Sequence, residues 1–410
     1  MLEIVLPALH PAQQQIFNCT SRFIVVNAGR RFGKTLICSL LAVVTMLDGG
    51  RVWWLAPTYA IGAEGWASLE DLIENIPGIS VRLGVKTITH IGGGSIQLRS
   101  TDDPAKLRGA GLDLAIFDEF SFTQKPQDVW QKSIRPALAD RQGRALFIST
   151  PNGRNYFWKL HKKAKNTAEK DWAYFEFPTA SNPFILSQEI ADAKAELPQD
   201  VFDQEFLAKF VESHRGIFRT KPAIRENILE TVPDPDCVYS IGVDFGKVKD
   251  FSVYTVYNLS RNSVAYIERF NQLEYKIQIE RLKFVYEIYK PKVMWVERNN
   301  VGEVLVSQLR DIFGDRLVKE YVATNREKRN LIEHLIVGFE REWVKIPNDK
   351  ELLDELNAFK ILRTKTGKIT YAAPYGVHDD MVISLALAYY ENKPKRRYQT
   401  AKVFDNPFYG

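Results

Sequence analysis

The chain has 410 residues, a length that outgrows one comfortable hydrophobic core and sets two domains as the expectation. Its 45% hydrophobic and 26% charged residues rule out a disordered or fibrous chain, and a net charge of +5 permits a polyanionic partner without demanding one. Cys19, Cys38 and Cys237 are an odd set without a CxxC pair, which argues against a zinc cluster or a disulfide framework and for a reducing, cytosolic setting.

No basic leader precedes the short apolar run that Pro7 interrupts, so no signal peptide is expected. The longest apolar stretch, Leu36–Leu47, is too short to cross a bilayer, and no membrane partner is expected. It reads instead as a buried helix. Ahead of it Phe23–Asn27 is an apolar strand, followed by a glycine-containing turn. Val52–Ala56 is a second strand ending at Pro57, Trp66–Ile76 has helical periodicity, and Ser95–Ser100 alternates. Leu112–Asp118 and Leu146–Thr150 are further strands, the last stopped by Pro151-Asn152-Gly153. This alternation predicts a mostly parallel sheet with helices on its faces, over residues 1–158.

Residues 159–213 turn basic and helical and are expected to form a small lid. Residues 214–236, with Pro222, Pro233 and Pro235, read as an interdomain connection. A second domain over 237–392 then begins with three strands, Val238–Val243, Ser252–Tyr257 and Ser263–Phe270, in an antiparallel meander. A helix (Leu273–Tyr289), strand Val293–Val296, helix Val301–Ile312 and strand Leu317–Tyr321 follow. The helix Lys328–Trp343 carries Leu331, Leu335, Ile336 and Phe339 on one face. Two more helices are expected at Lys350–Arg363 and Asp379–Tyr390, and residues 393–410 read as an exposed basic tail.

Ala28-Gly29-Arg30-Arg31-Phe32-Gly33-Lys34-Thr35 lies between a strand and a helix, the setting in which a Walker A phosphate loop works. Its amides and the helix N-terminus would face phosphate oxygens, Lys34 would reach the outer phosphates of ATP, and Thr35 would ligate Mg²⁺. Ala28 stands where the consensus has glycine. In Leu114-Ala115-Ile116-Phe117-Asp118-Glu119 the buried strand delivers Asp118 for Mg²⁺ and places Glu119 to activate the attacking water. Gln13, or failing it Gln14, is a candidate adenine reader. Ser149 and Thr150 could sense the γ-phosphate, Arg108 could complete a neighbouring subunit's site, and Arg30 or Arg31 could act in cis. For each arginine a surface ion pair is the plainer alternative.

The second half gathers its own carboxylates. Asp244 ends the first meander strand, Glu297 ends the strand after the crossover helix, and Asp379-Asp380 open an apolar helix. Three converging carboxylates without a basic partner repel unless cations lie between them. Two Mg²⁺ or Mn²⁺ ions would relieve that and clamp a phosphodiester. Oxygen donors favour those ions over zinc. The alternative makes Asp379 a helix cap and Asp244 a turn residue. Asp250 reads as a solvated turn or an outer ligand. The lysines at 159, 162, 163 and 165 form a basic run able to track phosphates, or simply a solvated helix face.

With both constellations in this order, the chain resembles the large terminase subunit of tailed bacteriophages. The likeness rests on the Gln13 region, the loop Gly29–Thr35, the strand Ile116–Glu119, the segment Phe147–Gly153, which looks like that family's coupling motif, and the acidic set Asp244, Glu297 and Asp379, with Asp380 able to share the metal. It implies an α/β architecture: a P-loop NTPase domain followed by an RNase H/RuvC-like mixed-sheet nuclease domain. It further implies ATP-driven translocation of double-stranded DNA into a procapsid and cutting of concatemeric DNA. The implied partners are a portal protein, a small terminase subunit and further copies of the chain in a ring, at work in the host cytoplasm and absent from the mature virion. An ATP-gated cellular repair or junction nuclease that does not translocate is the alternative, and a nucleotide-switched DNA-binding scaffold is a third.

Overall fold

A computed structural model describes residues 7–109, 111–211, 217–246, 251–298, 302–363, 369–374 and 377–392. The expected basic tail at 393–410 and Asp250 lie outside them. The chain divides into two compact units, residues 1–217 with 360–372, and residues 218–359 with 373–410.

The first unit opens with helix α1 (Pro11–Phe17), strand β1 (Phe23–Ala28), helix α2 (Lys34–Leu47) and strand β2 (Arg51–Ala56). Helix α3 (Ala63–Ile73) and strands β3 (Ile79–Arg82), β4 (Thr87–His90), β5 (Ser95–Ser100) and β6 (Leu114–Asp118) follow. A π-helical stretch, Asp128–Ile134, runs into the short α4 (Arg135–Ala137), and then come β7 (Arg144–Ser149), α5 (Tyr156–Lys165), β8 (Trp172–Phe177), α6 (Ser187–Glu196) and α7 (Gln199–Glu205). The sheet order is β3-β4-β5-β2-β6-β7-β1-β8. From β5 to β8 all neighbours are parallel, and β3 and β4 extend the edge as an antiparallel pair.

Period-two alternation builds a core on each face of this sheet. Ile24, Val26 and Ala28 of β1 pack with Ile37, Ala42 and Val43 of α2. Phe23 and Val25 face the opposite way, into an aromatic layer containing Trp130, Phe147, Phe157 and Trp172. Phe147 lies at the centre of that layer, its centroid 4.8 Å from both Phe117 and Trp130. The segment 159–213 is therefore more than a lid. Its strand β8 pairs with β1 along Phe23–Ala28 and completes the main sheet.

In the second unit, β9 (Ile224–Arg225) is followed by β10 (Tyr239–Asp244), β11 (Ser252–Asn258), β12 (Ser263–Phe270), helix α8 (Tyr275–Tyr289), β13 (Val293–Glu297), helix α9 (Gly302–Phe313) and β14 (Val318–Tyr321). Helix α10 (Asn325–Glu340), β15 (Ile346–Pro347) and α11 (Lys350–Ala358) follow. The sheet runs β12-β11-β10-β13-β14, so the strand after the crossover does lie beside the first. The meander is antiparallel and β10, β13 and β14 are parallel, the mixed sheet expected. Helices α8 and α9 cover one face through Leu282, Val285, Val306 and Leu309.

Helix α12 (Asp380–Tyr389) covers the other face, with every residue from Met381 to Tyr389 buried. It lies so close to β10 that a Cβ on Gly242 would collide with the Ser384 carbonyl, and Ser384 Oγ donates to the Gly242 carbonyl at 2.9 Å. That approach is why a strand rich in β-branched residues has a glycine at its centre.

Two expectations are corrected here. From Phe218 on, the connection at 214–236 is counted with the second unit: β9 pairs with β15, and Phe218 packs edge-on against Phe359 and tilted against Phe339. The helix expected at Lys350–Arg363 ends at Ala358, and β16 (Lys360–Arg363) pairs antiparallel with β17 (Ile369–Ala372) in a hairpin counted with the first unit. Phe359, fully buried, marks the break between the helical and the extended pattern.

Candidate active sites

The phosphate loop connects β1 to α2. Arg31 and Gly33 adopt left-handed conformations, with φ of 60° and 92°, and such turns aim successive amides into a concavity that suits anions. The first-turn amides of α2 add a helix N-terminus to it. Ala28 is the buried last residue of β1 and has no positive φ, so a methyl group costs nothing there. Gly29, by contrast, must lack a side chain, because a Cβ there would press on Thr179 Oγ1 and the Phe206 carbonyl.

Residues far downstream brace this loop. Gly29 N–H donates to the Phe177 carbonyl (2.9 Å) and Arg30 N–H to the Glu205 carbonyl (2.7 Å). Thr179 Oγ1 donates to the Arg30 carbonyl (2.8 Å) and Asn182 Nδ2 to the Arg31 carbonyl (2.7 Å). The Arg30 guanidinium pairs with the Glu205 carboxylate, so in this arrangement it is held on α7. None of these partners is marked by a sequence motif. They reach the loop because β8 pairs with β1. Gln13 lies against the loop itself: Nε2 donates to the Gly33 carbonyl (3.0 Å), while Oε1 accepts the His10 amide (3.1 Å). Gln14 is exposed and donates to the Leu9 carbonyl.

Lys34, Asp118, Glu119, Ser149 and Thr150 converge. The Lys34 ammonium, nearly buried, donates to the Ala28 and Gly29 carbonyls (3.3 and 3.1 Å) and lies 3.9 Å from Glu119 Oε1. Burial, then the adjacent Glu119 charge, pushes Asp118 up to about 7, with Lys34 pulling the other way. A cation between the two carboxylates would relieve that repulsion. Glu119 has φ 48°, a left-handed conformation that costs a non-glycine residue about 1–2 kcal/mol. Its Oε2 accepts hydrogen bonds from Ser149 Oγ (3.0 Å) and Thr150 Oγ1 (3.4 Å). The side chain that faces Lys34 is thus tied to the end of β7. Thr35 follows Lys34 in the first turn of α2, half-buried. Arg108 is exposed at the end of a 3₁₀ turn, Pro104–Leu107.

The second carboxylate group forms at the ends of parallel strands. Val243 of β10 pairs with Val296 of β13, so the next residues, Asp244 and Glu297, sit side by side on strands about 4.8 Å apart. Asp379 occupies the N-cap position of α12, yet its side chain makes no capping bond. Glu355 of α11 does that work, its Oε2 accepting from the Met381 amide (2.8 Å) and the Val382 amide (3.4 Å). The Asp379 carboxylate instead receives the ammonium of Lys328 on α10, at 2.9 Å. Asp380 lies 3.4 Å from His378 Nδ1.

Burial pushes the Glu297 carboxyl up, Lys328 draws it down, and Asp379 and Asp380 push it up again. Glu297, Asp379, Asp380 and Lys328 therefore share one electrostatic field. Among the described residues, no three His, Cys, Asp or Glu side chains close around a single point as ligands would. One ammonium compensates only part of the charge that keeps carboxylates apart. The donor set suits a hard divalent cation all the same. It consists of oxygens alone, two of its members end adjacent rigid strands, and Asp379 is not committed to capping.

Comparison with known proteins gives the chain a family. A profile of the family described as "Terminase large subunit, T4likevirus-type, N-terminal" matches residues 25–222. The large terminase subunit of Thermus phage G20c is 31% identical over 438 residues, spanning 96% of this chain and 90% of that protein. The chain belongs to the terminase large subunit family. Large terminase subunits join an ATPase to a metal-dependent nuclease, and this large terminase has an α/β unit for each. The large subunit of Escherichia phage T5 is 24% identical over 325 residues, 77% of this chain and 72% of that one. The large terminase of a thermophilic bacteriophage, solved in complex with ADP, shares the fold at TM-score 0.50 and 15% identity, over 93% of this chain and 98% of that one.

Proposed function

We propose that this large terminase hydrolyses ATP at the Lys34–Glu119 site to drive double-stranded DNA into a procapsid, and cuts concatemeric DNA at the Asp244–Glu297 site with two divalent ions. The observation that carries the reading is the hydrogen bonding of Glu119 to Ser149 and Thr150 while it faces Lys34. Such an arrangement joins the residue that would activate water to a strand end able to move when the phosphate leaves.

In the first site the loop amides and Lys34 hold the outer phosphates of ATP, and Thr35 and Asp118 hold its Mg²⁺. Glu119 orients and deprotonates the attacking water, and its loss of charge registers at Ser149 and Thr150. The exposure of Arg108 supports its insertion into a neighbouring copy's site, the arrangement that a ring on the portal would provide. In the second site Asp244, Glu297 and Asp379, with Asp380 as a further donor, hold Mg²⁺ or Mn²⁺. When bound, the ions supply charge for the attacking and leaving oxygens of a phosphodiester. The carboxylates position them at the mouth of two rigid strands. The portal, a small terminase subunit and the host cytoplasm complete the setting, and among the described residues no helix is long and apolar enough to cross a membrane.

The test is DNA filling of empty capsids in the presence of ATP. Wild type fills them and Lys34→Ala does not, while Asp244→Asn fills from pre-cut linear DNA but leaves concatemers uncut. Filling by Lys34→Ala would refute the motor reading.

A further inference from the structure

We infer that Lys328 is a built-in counter-cation of the nuclease site, which holds Asp379 in the absence of divalent ions and must withdraw for them to load. The inference rests on the metal-binding reading of that site and adds a regulation to it.

Three observations meet at this side chain. Its ammonium lies 2.9 Å from Asp379 Oδ2, at a carboxylate that the local helix geometry would otherwise use as a cap. Asp379 opens α12, the helix packed on β10, and β10 ends at Asp244 beside Glu297 of β13. Lys328 stands in the first turns of α10, an element separate from every carboxylate it serves, so it can leave without moving β10, β13 or α12. That helix is anchored through its buried face, by Leu331, Leu335 and Ile336, while the Lys328 side chain remains about one-third exposed. The ammonium therefore has both a reason to be at the site and a path away from it.

A single positive charge and a pair of divalent ions compete for the same carboxylates. Loading the ions removes the partner of Lys328 and adds repulsion to it, so the native lysine weakens metal affinity and keeps the ion-free site from flying apart. Breaking an ion pair whose partners are each about one-third exposed corresponds to about a fivefold effect on binding, or roughly 1 kcal/mol. Released from Asp379, the side chain points a cation toward solvent at the mouth of the site, where a DNA phosphate would arrive.

The experiment measures Mn²⁺ binding by the full chain without nucleotide, from the electron paramagnetic resonance of the free ion, with the Asp244→Asn isotherm as the background of other sites. Lys328→Met should bind Mn²⁺ at least about fivefold more tightly than wild type. Its melting temperature should fall below wild type in chelator and draw level or rise above it at saturating Mn²⁺. Lys328→Arg should stay close to wild type in both. Unchanged or weaker Mn²⁺ binding by Lys328→Met overturns the inference, as does a melting deficit of equal size at every Mn²⁺ concentration. Absence of an Asp244-dependent isotherm in wild type overturns the metal reading itself. If Lys328→Met fails to fold, acylation of wild type decides: Lys328 should label faster with Mn²⁺ than in chelator, and equal rates refute its release.

Discussion

Replacing Glu355 by glutamine removes a charge while keeping an oxygen that can hold α12 in place. Glu355 is 4% exposed; burial raises its carboxyl, the Met381 amide lowers it, Asp380 raises it and Arg269 lowers it, for a net rise from 4.5 to about 7. Below 4.5 the group is protonated whether the chain is folded or not. Between 4.5 and 7 the folded protein keeps a proton that the unfolded chain has released, so stability falls as pH rises through that window. The penalty is complete above pH 7 and amounts to about 3 kcal/mol for a shift of this size at 1.36 kcal/mol per unit. Glu355→Gln escapes it, less what is lost at Arg269 Nη2, 3.5 Å from Oε1. The variant should match wild type at pH 4.5 and exceed it by about 1–3 kcal/mol at pH 9. Calorimetry of the full chain across that range, with hydrogen exchange of peptides covering 380–392, reads both the global and the local effect. Glu355→Ala, which loses the cap as well as the titrating carboxyl, should be weaker than the glutamine variant at every pH by about 1–2 kcal/mol. A glutamine variant less stable than wild type at pH 9 would refute the reasoning and show an ionised Glu355 held by Arg269.

Lys34→Ala should lower ATP turnover by at least about a thousandfold and leave Mn²⁺-dependent DNA cleavage intact, checked by phosphate release and nicking of plasmid on one preparation. Glu119→Gln keeps an acceptor for Ser149 and Thr150 and should reduce kcat by about 10²–10⁴-fold with KM nearly unchanged. Gly29→Ala should cost about 1–3 kcal/mol and weaken nucleotide binding, whereas Ala28→Gly should leave binding of a fluorescent ATP analogue close to wild type. Equal effects at the two positions would show that the close approach to Thr179 does not set the loop.

Much of this architecture was legible because strand ends carry their own signature. Ile116-Phe117-Asp118-Glu119 reads as an apolar strand with acid at its edge, and parallel pairing with β7 then brings Glu119 to Ser149. The same logic set Asp244 beside Glu297. What escaped were contacts that exist only after distant elements meet. Trp172–Phe177 is hidden behind a lysine-rich helix, so its place beside β1 went unread, and with it the bracing of the loop by Thr179, Asn182 and Glu205. Strands β3 and β4 have four residues each, too few to carry a sustained apolar pattern. Glu355 caps a helix 26 residues away, and Lys328 reaches Asp379 across 51, spacings that no local rule anticipates. Gln13, a candidate adenine reader from the sequence, lies against the phosphate loop, where its amide donates to the Gly33 carbonyl.

Anomalous diffraction from crystals of the full chain grown with Mn²⁺ examines the central claim of two separate phosphate-handling centres most directly. The account predicts two peaks about 3.5–4 Å apart, within about 2.2 Å of carboxylate oxygens of Asp244, Glu297 and Asp379, with Lys328 turned away. Saturating Mn²⁺ with no anomalous density at those carboxylates, and the Lys328–Asp379 pair still closed, would contradict it.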